Sequence, residues 1–510
     1  MFHRRRSTAW PALAAATAAL FVAGCGSSSD EGGRDSGGSG TTSKSSGESS
    51  GTSGGQKAAA PSTVDWPEPQ PAVEERSGGG KSPIRIAILS DCKGAFGAFE
   101  GQTIAGAVAA LSQFAGAKPK DPKNPRAGWT GGAIGDHPLE LAGIGCSDDR
   151  ADTAIRETRR LMEQEDADIL IGPLSGDESI AVANYAKSHP DKTFVDGAAG
   201  AQDTTLKVQA PNFFRFNGDG AQWNAGLGQI AYNQLGWKTA VVVADDYSFG
   251  WTSAAGFIAD FCAAGGDVVQ RVFPPLNTTD YSSYAQQAQS DADGTFVAVG
   301  GAGLIPFLKA YEQAHGPIDP KKFMGNLFWG TPGQFEALGP RVADVYIGSA
   351  GTAGDLDTEG ATDYSNNIIG KWFEEIPPGG DAAAQAPSTF TYGYYVNTWG
   401  LIKGLEAVKG DISGGQMKLQ EAIAKVTLPA PYGEIKLDEN RQAVFTNFNQ
   451  QLYMKDDKLA VKTVAAIPNV SQEFGGTFDE QTPAPGRKSP GCEPRDLPWA
   501  GKVEQVETVG

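Results

Sequence analysis

The chain has 510 residues, with 60 Asp and Glu against 42 Lys and Arg and a net charge of −18 at pH 7. That sign argues against a nucleic-acid partner, which needs a basic face. Hydrophobic residues at 40% exclude wholesale disorder, the 67 glycines lack the period of a collagen-like fibre, and the length allows two or three domains.

Met1 to Arg6 carries three consecutive arginines, and the 13-residue, mostly apolar run Trp10 to Val22 is shorter than the roughly 18 residues that a spanning helix needs. Residues 1–24 therefore read as a signal peptide. Val22-Ala23-Gly24-Cys25 resembles the lipobox of bacterial lipoproteins, which implies lipidation of Cys25 and an anchor at the outer membrane face. Residues 26–55 contain 24 Gly, Ser or Thr, six charged residues and no apolar side chain. Nothing there can bury, so the segment reads as a tether spanning about 30 Å. Pro61, Pro67, Pro69 and Pro71 make its continuation to residue 80 stiffer.

From Pro83 onward short β-branched runs alternate with amphipathic stretches. Strands are expected at Ile84–Leu89, Leu139–Gly145, Asp168–Gly172 and Thr193–Asp196, with helices at Gln102–Phe114 and Ala151–Gln164. The cycle restarts with helix Ala221–Leu235, strand Lys238–Ala244, helix Thr252–Ala264, strand Asp267–Phe273, helix Ser282–Ser290 and strand Thr295–Gly300. The class is α/β, with two similar sheets joined through the Pro-, Gly- and aromatic-rich stretch Pro211 to Gly220. Beyond Cys25, the cysteines Cys92, Cys146, Cys262 and Cys492 remain, an even number that suits two disulfides in an oxidising compartment, with four reduced thiols as the alternative. Cys92 and Cys146 each follow a strand in adjacent βα units and so are expected to pair; Cys262 with Cys492 follows only by subtraction.

Several ordered motifs resemble one family. Gly94-Ala95-Phe96-Gly97-Ala98-Phe99 leads into a helix containing Gly106-Ala107, Asp148-Asp149-Arg150 opens the second helix, and Ile171-Gly172-Pro173-Leu174-Ser175-Gly176 ends the third strand. Phe213-Phe214-Arg215 follows, then Asp245-Asp246-Tyr247-Ser248-Phe249-Gly250, Thr279-Asp280-Tyr281-Ser282, Tyr432-Gly433 and Leu437-Asp438-Glu439-Asn440. Over residues 83 to about 465 this set is similar to the leucine/isoleucine/valine-binding family of ABC-transporter solute-binding proteins. The resemblance implies a type I periplasmic-binding fold, with two Rossmann-like lobes, each a mostly parallel sheet flanked by helices. Lobe one would comprise 83–214 plus 351–430 and lobe two 217–348 plus 432–465, joined by a three-segment hinge near Phe214–Gly218, Gly348–Gly351 and Leu428–Gly433. Residues 471–510, rich in Pro, Gly and charge, read as an appended strap. The implied protein is a monomer that captures a small-molecule solute, uses no cofactor and delivers its cargo to an ABC permease.

Open α/β sheets bind ligands outside the carboxyl ends of their strands, so two facing sheets make a cleft lined by Asp91–Glu100, Leu174–Glu178, Gly197–Ala201, Asp245–Phe249 and Gly301–Leu304. Candidate ligand contacts are Phe99, Glu100, Leu174, Ser175, Gly176, Ala198, Ala199, Gly200, Asp246, Tyr247, Gly301, Ala302, Phe328 and Tyr392, with Phe249 and Trp329 also expected to face the cleft. Together these rings predict a partly apolar solute. In relatives that bind α-amino acids, hydroxyls and a glutamate hold the carboxylate and ammonium; the matching places here carry Gly176, Gly200 and Leu327. Ser175, Asp177, Asp246 or Glu100 could substitute, but a buried unpaired ammonium costs several kcal/mol, which argues against leucine itself.

The four histidines, His3, His137, His189 and His315, lie far apart, with no H-E-x-x-H, paired-Cys, G-x-S-x-G or Walker pattern. Neither a metal site nor a catalytic group is expected. Asp148-Asp149 reads as a helix cap and Asp245-Asp246 as a turn. A lipoprotein that presents ligand to a separate sensor is the alternative, and a cell-surface hydrolase a weaker one.

Overall fold

A computed structural model describes residues 78–288, 291–352, 363–364, 369–376, 380–381, 388–501 and 503–505. The signal peptide, Cys25 and the tether lie outside the described residues. Strand β1 (Ile84–Asp91) is buried at every position except Arg85, the continuous apolar run that suits the centre of a parallel sheet. Beside it lie β2 (His137–Ser147), β3 (Ile169–Ile171), β4 (Thr193–Val195) and β5 (Phe213–Phe214), in the order β2-β1-β3-β4-β5. These pairings are all parallel. Helices α1 (Glu100–Ala115), α2 (Ala151–Arg159) and α3 (Gly176–Lys187) connect them.

A second sheet repeats the pattern. Strands β6 (Thr239–Ala244), β7 (Asp267–Val272), β8 (Gly294–Ala298), β9 (Phe323–Gly325) and β10 (Tyr346–Gly348) run parallel in the order β7-β6-β8-β9-β10. Its helices are α4 (Leu227–Asn233), α5 (Ser248–Ala263), α6 (Ser282–Gln287) and α7 (Leu304–His315). After helix α8 (Thr389–Ala407), strands β11 (Thr427–Ala430), β12 (Gly433–Leu437), β13 (Ala443–Lys455) and β14 (Lys458–Val470) extend this sheet in antiparallel fashion. In each half the first strand stands between the second and third, which is the switch point where loops diverge and a ligand can enter.

The described elements differ from the sequence-based expectation in several places. Helices α3, α7 and α8, strands β5, β9, β10 and β11 and the long β13–β14 hairpin were not among the expected elements. The expected helix over 221–235 is a short turn at Gln222–Asn224 followed by α4, broken at Gly226 (φ 92°), where Asn449 and Ile467 leave no room for a side chain. Cys92 is bonded to Cys146 and Cys262 to Cys492, with Cα separations of 5.2 and 5.3 Å. The first bond closes the edge between β1 and β2, where Ser90 pairs with Cys146 in register. Among the described residues, no helix is long and apolar enough to cross a membrane, and no group of three or more His, Cys, Asp or Glu is placed to hold a metal ion.

Two features position the loops at the sheet ends. Helix α1 is buried almost all round because it lies against α8, and at the crossing the Thr391 carbonyl occupies the space that a Cβ on Gly106 would need. Behind the loop after β1, the carboxyls of Asp91, Asp149 and Glu178 are buried together. Ser147 Oγ lies 2.9 Å from both Asp91 Oδ1 and Glu178 Oε2. A single hydroxyl proton cannot serve two carboxylates fully, so one carboxyl carries a proton of its own. Burial pushes all three above the usual carboxylate range, with the neighbouring Asp91 charge adding to the effect on Glu178 and raising Asp149 to about 8. Asp149 in turn accepts the Ala95 N–H and so fixes the Gly94–Phe99 turn.

Two outcomes follow. Gly106→Ala is expected to lower stability by about 1–3 kcal/mol in urea unfolding, opposite in sign to the ~1 kcal/mol gain from replacing a free helix glycine. The raised carboxyls bind protons in the native state that the unfolded chain releases above about pH 4, so stability is full at the acidic end and falls as pH rises towards about 8. The urea midpoint should therefore drop across that window, and Asp149→Asn should flatten the slope. A midpoint that climbs with pH contradicts this protonation.

Candidate functional site

The loops from the two sheets meet in a wall of rings. Phe96 and Phe99 come from the 3-10 turn after β1, Tyr247 from the β6–α5 connection, Phe249 from the first turn of α5, Phe328 from the turn after β9 and Phe390 from the first turn of α8. All six are buried. Phe328 is the hub: its ring stacks on Phe96 at 5.6 Å, meets Phe249 edge-on at 5.9 Å and lies 5.7 and 6.3 Å from Phe390 and Phe99. Phe99 stacks on Phe390 at 4.3 Å. Leu174, Gly176, Ala198, Gly200, Trp223 and Leu327 complete the lining, and none of the lining side chains carries a charge. The remaining cavity is about 20 Å³, room for one water and for no organic solute.

The polar groups here belong to the backbone and to hydroxyls. The first residues of α3 and α5 meet, and the Ser248 N–H donates to Asp177 Oδ1 across the gap at 3.1 Å. A Cβ on Gly176 would lie 2.6 Å from Ser248 Oγ, so the approach needs glycine. Ser175 Oγ and Ser248 Oγ are buried without a hydrogen-bond partner among the described residues. Two helix N-termini bearing unused hydroxyls favour an acceptor, and an anion most of all.

The sequence-predicted contacts divide into groups. Leu174, Gly176, Ala198, Gly200, Tyr247 and Phe328 line the cavity, and Phe99 packs directly behind Phe328 and Phe390. Ser175 stands at the start of α3. Ala199 is turned into the fold, its N–H on Asp196 Oδ2 at 3.0 Å and its carbonyl on Arg215 and Asn217. Gly301 (φ 52°) presses against the Ala95 carbonyl, which leaves no space for a Cβ, whereas the Ala302 side chain is exposed. Glu100 is paired with Arg126, and Asp246 with Arg487 and Trp251, so neither supplies a free charge. Tyr392 lies elsewhere, 5.0 Å from Tyr432, lining a second small pocket with Phe216, Gly218, Ala350 and Gly351. Trp329 is also displaced from the expected place: it covers Gly325 and donates to the Val297 carbonyl at 3.2 Å, inside the second sheet's core.

Sequence reasoning did not single out Phe96, Trp223 or Phe390 as contacts. Phe390 opens an aromatic run, Phe390, Tyr392, Tyr394 and Tyr395, whose concentration of rings was the available signal. Asp245, at the end of β6, is fully enclosed; it accepts the Gly300 N–H at 2.7 Å, and burial raises it to about 8. Burial therefore disfavours its charged form, and the neighbouring Asp177 carboxyl is engaged by the Ser248 N–H.

The periplasmic binding protein family profile matches residues 83–454. Leu/Ile/Val-binding protein homolog 6 of Brucella melitensis biotype 1 is 27% identical over 185 residues, 36% of this chain and 46% of that protein, so the match spans about half of the curated relative. The ABC transporter substrate-binding protein from Sphaerobacter thermophilus superposes with a TM-score of 0.64 at 24% identity, covering 76% of this chain and 99% of its own. A solute-binding protein of an ABC transporter from R. palustris, in complex with benzoate, gives 0.63 at 21% identity over 76% and 98%. At these identities the two structures share the fold. With a repeated β2-β1-β3-β4-β5 order, a cleft at the facing strand ends and a profile covering most of its length, the chain belongs to the periplasmic binding protein family and has its type I fold.

Proposed function

We propose that the protein is the extracytoplasmic solute-binding component of an ABC importer, which takes a small aromatic or branched apolar acid between its two halves and passes it unchanged to a membrane permease. The observation that carries this reading is the uncharged, ring-lined cavity between the loops of two sheets. Its present volume admits no solute, so uptake would require the halves to part. Segments 216–218, 350–351 and 432–433 lie around one small pocket, a placement that suits the three strands of a hinge. The solute's ring would replace ring–ring contacts, and its carboxylate would meet the N-termini of α3 and α5 with the hydroxyls of Ser175 and Ser248. An α-amino acid fits less well, because Asp245, Asp246 and Glu100 are each engaged by other groups. The benzoate held by the R. palustris relative is consistent with this class of solute.

Thermal unfolding in the presence of benzoate, phenylalanine, leucine and toluene tests the reading, since saturation at 100 times Kd stabilises by about 2.7 kcal/mol. Benzoate is expected to raise Tm more than the other three and to be recovered intact. Phe328→Ala should weaken that binding about tenfold or more. A leucine response exceeding that of benzoate, or turnover of the added compound, overturns the assignment. Cys25, as the lipidated anchor, gives a further outcome: Cys25→Ser is expected to release the protein from membranes into the medium, and retention in the membrane fraction contradicts the anchor.

A further inference from the structure

Residues beyond 454 lie outside the span that the family profile matches, yet the segment 471–501 is built into the fold. Phe474, Phe478, Leu497 and Trp499 are buried against Leu206 from the first half and against Ala221, Ala225, Ala255 and Ala259 from the second. Its polar contacts divide in the same way. On the first half, Gln472 Nε2 donates to Thr205 Oγ1 at 2.7 Å, and Lys207 Nζ donates to the Asp479 and Thr482 carbonyls at 2.7 and 2.5 Å. On the second half, Trp499 Nε1 donates to the buried Asp260 Oδ1 at 2.8 Å, Arg271 donates to the Pro490 carbonyl at 2.7 Å, and Cys492 is bonded to Cys262 of α5. Arg487 forks onto both carboxylate oxygens of Asp246, with Nε to Oδ1 at 2.8 Å. The next residue, Tyr247, lines the cleft.

We propose that residues 471–501 form a strap that ties the two halves together, limits how readily the cleft opens, and through Arg487 positions the Asp245–Phe249 loop. Moving the halves apart must break one set of the strap's contacts. The Cys262–Cys492 bond holds the second-half side, so the break falls on the Lys207 and Gln472 side. The strap therefore favours the closed form whether or not solute is present, which slows entry and escape together and changes their ratio less. Arg487 acts as a positioning residue: its guanidinium holds Asp246, and Asp246 fixes the backbone from which the Tyr247 and Phe249 rings project.

The inference rests on the reading that the halves open, and its test separates the two. Hydrogen exchange is measured on the wild type and on Lys207→Ala/Arg487→Ala, which leaves both disulfides and the apolar anchors in place. Exchange in peptides covering 94–99 and 245–250, on opposite halves, is expected to accelerate about fivefold or more in the variant. In stopped-flow mixing with benzoate, association and dissociation should both quicken while Kd moves less than either rate. A Cys262→Ala/Cys492→Ala variant should show the same pattern. Faster exchange confined to 479–490, with the cleft loops unchanged, overturns the strap. Should benzoate fail to bind the wild type, the solute assignment falls, and the exchange measurement still decides the strap.

Discussion

Phe328 touches rings carried by the loop after β1, by the first turn of α5 and by α8, and the ring wall between the two sheets depends on that contact. Removing a large apolar side chain from water contributes about 1.5–3 kcal/mol, so several rings meeting across one gap hold two sheets together without help from charge. A solute entering this gap has to offer a face that replaces a ring. That requirement accounts for the neighbouring carboxyl groups: Asp245, Asp246, Asp177 and Glu100 are each held by a hydrogen bond or ion pair that keeps them out of the lining.

Behind the rings, a buried polar network joins the cleft to the chain crossings. The Arg215 guanidinium is fully enclosed and donates to the Ala199 and Ala201 carbonyls, to Thr205 Oγ1 and to Gln442. Burial lowers its pKa, and the nearby Asp196 and Asp219 oppose that shift. Gln472 reaches the same Thr205 hydroxyl. The loop that places Ala198 and Gly200 at the cavity is thus held by the residue that leaves β5 and by the segment that follows β14. Removing one partner from such a network leaves a buried charge or donor unpaired, a loss of about 3–5 kcal/mol.

Much of the fold was legible in the amino-acid pattern, because β1, β6 and β8 are short apolar runs and the turns between them carry recognisable glycines. The cysteine pairing could be argued at one end only: Cys92 and Cys146 follow adjacent strands, but nothing local connects Cys262 with Cys492 across 230 residues. Strand β13 escaped notice because its buried Asn447 and Asn449 are amides that read as loop; their Nδ2 groups donate to the Trp223 and Ala225 carbonyls, partners far away in sequence. At the site, Tyr247 and Phe328 line the cavity between the two sheets, whereas Tyr392 and Trp329 lie away from it. Which side of a helix or turn faces a cleft is decided by packing against the other half, as with Trp329 over Gly325. The strap's buried residues, Phe474, Phe478, Leu497 and Trp499, are scattered among Pro, Gly and charge, so no periodicity betrays them.

The heat-capacity change of solute binding tests the central claim most directly. Benzoate titrated calorimetrically at several temperatures should bind with a clearly negative ΔCp, because its ring and the cleft's rings leave water together when the halves shut. A binding enthalpy independent of temperature would mean that the solute stays on a wetted surface outside the ring wall, and would contradict capture between the two halves.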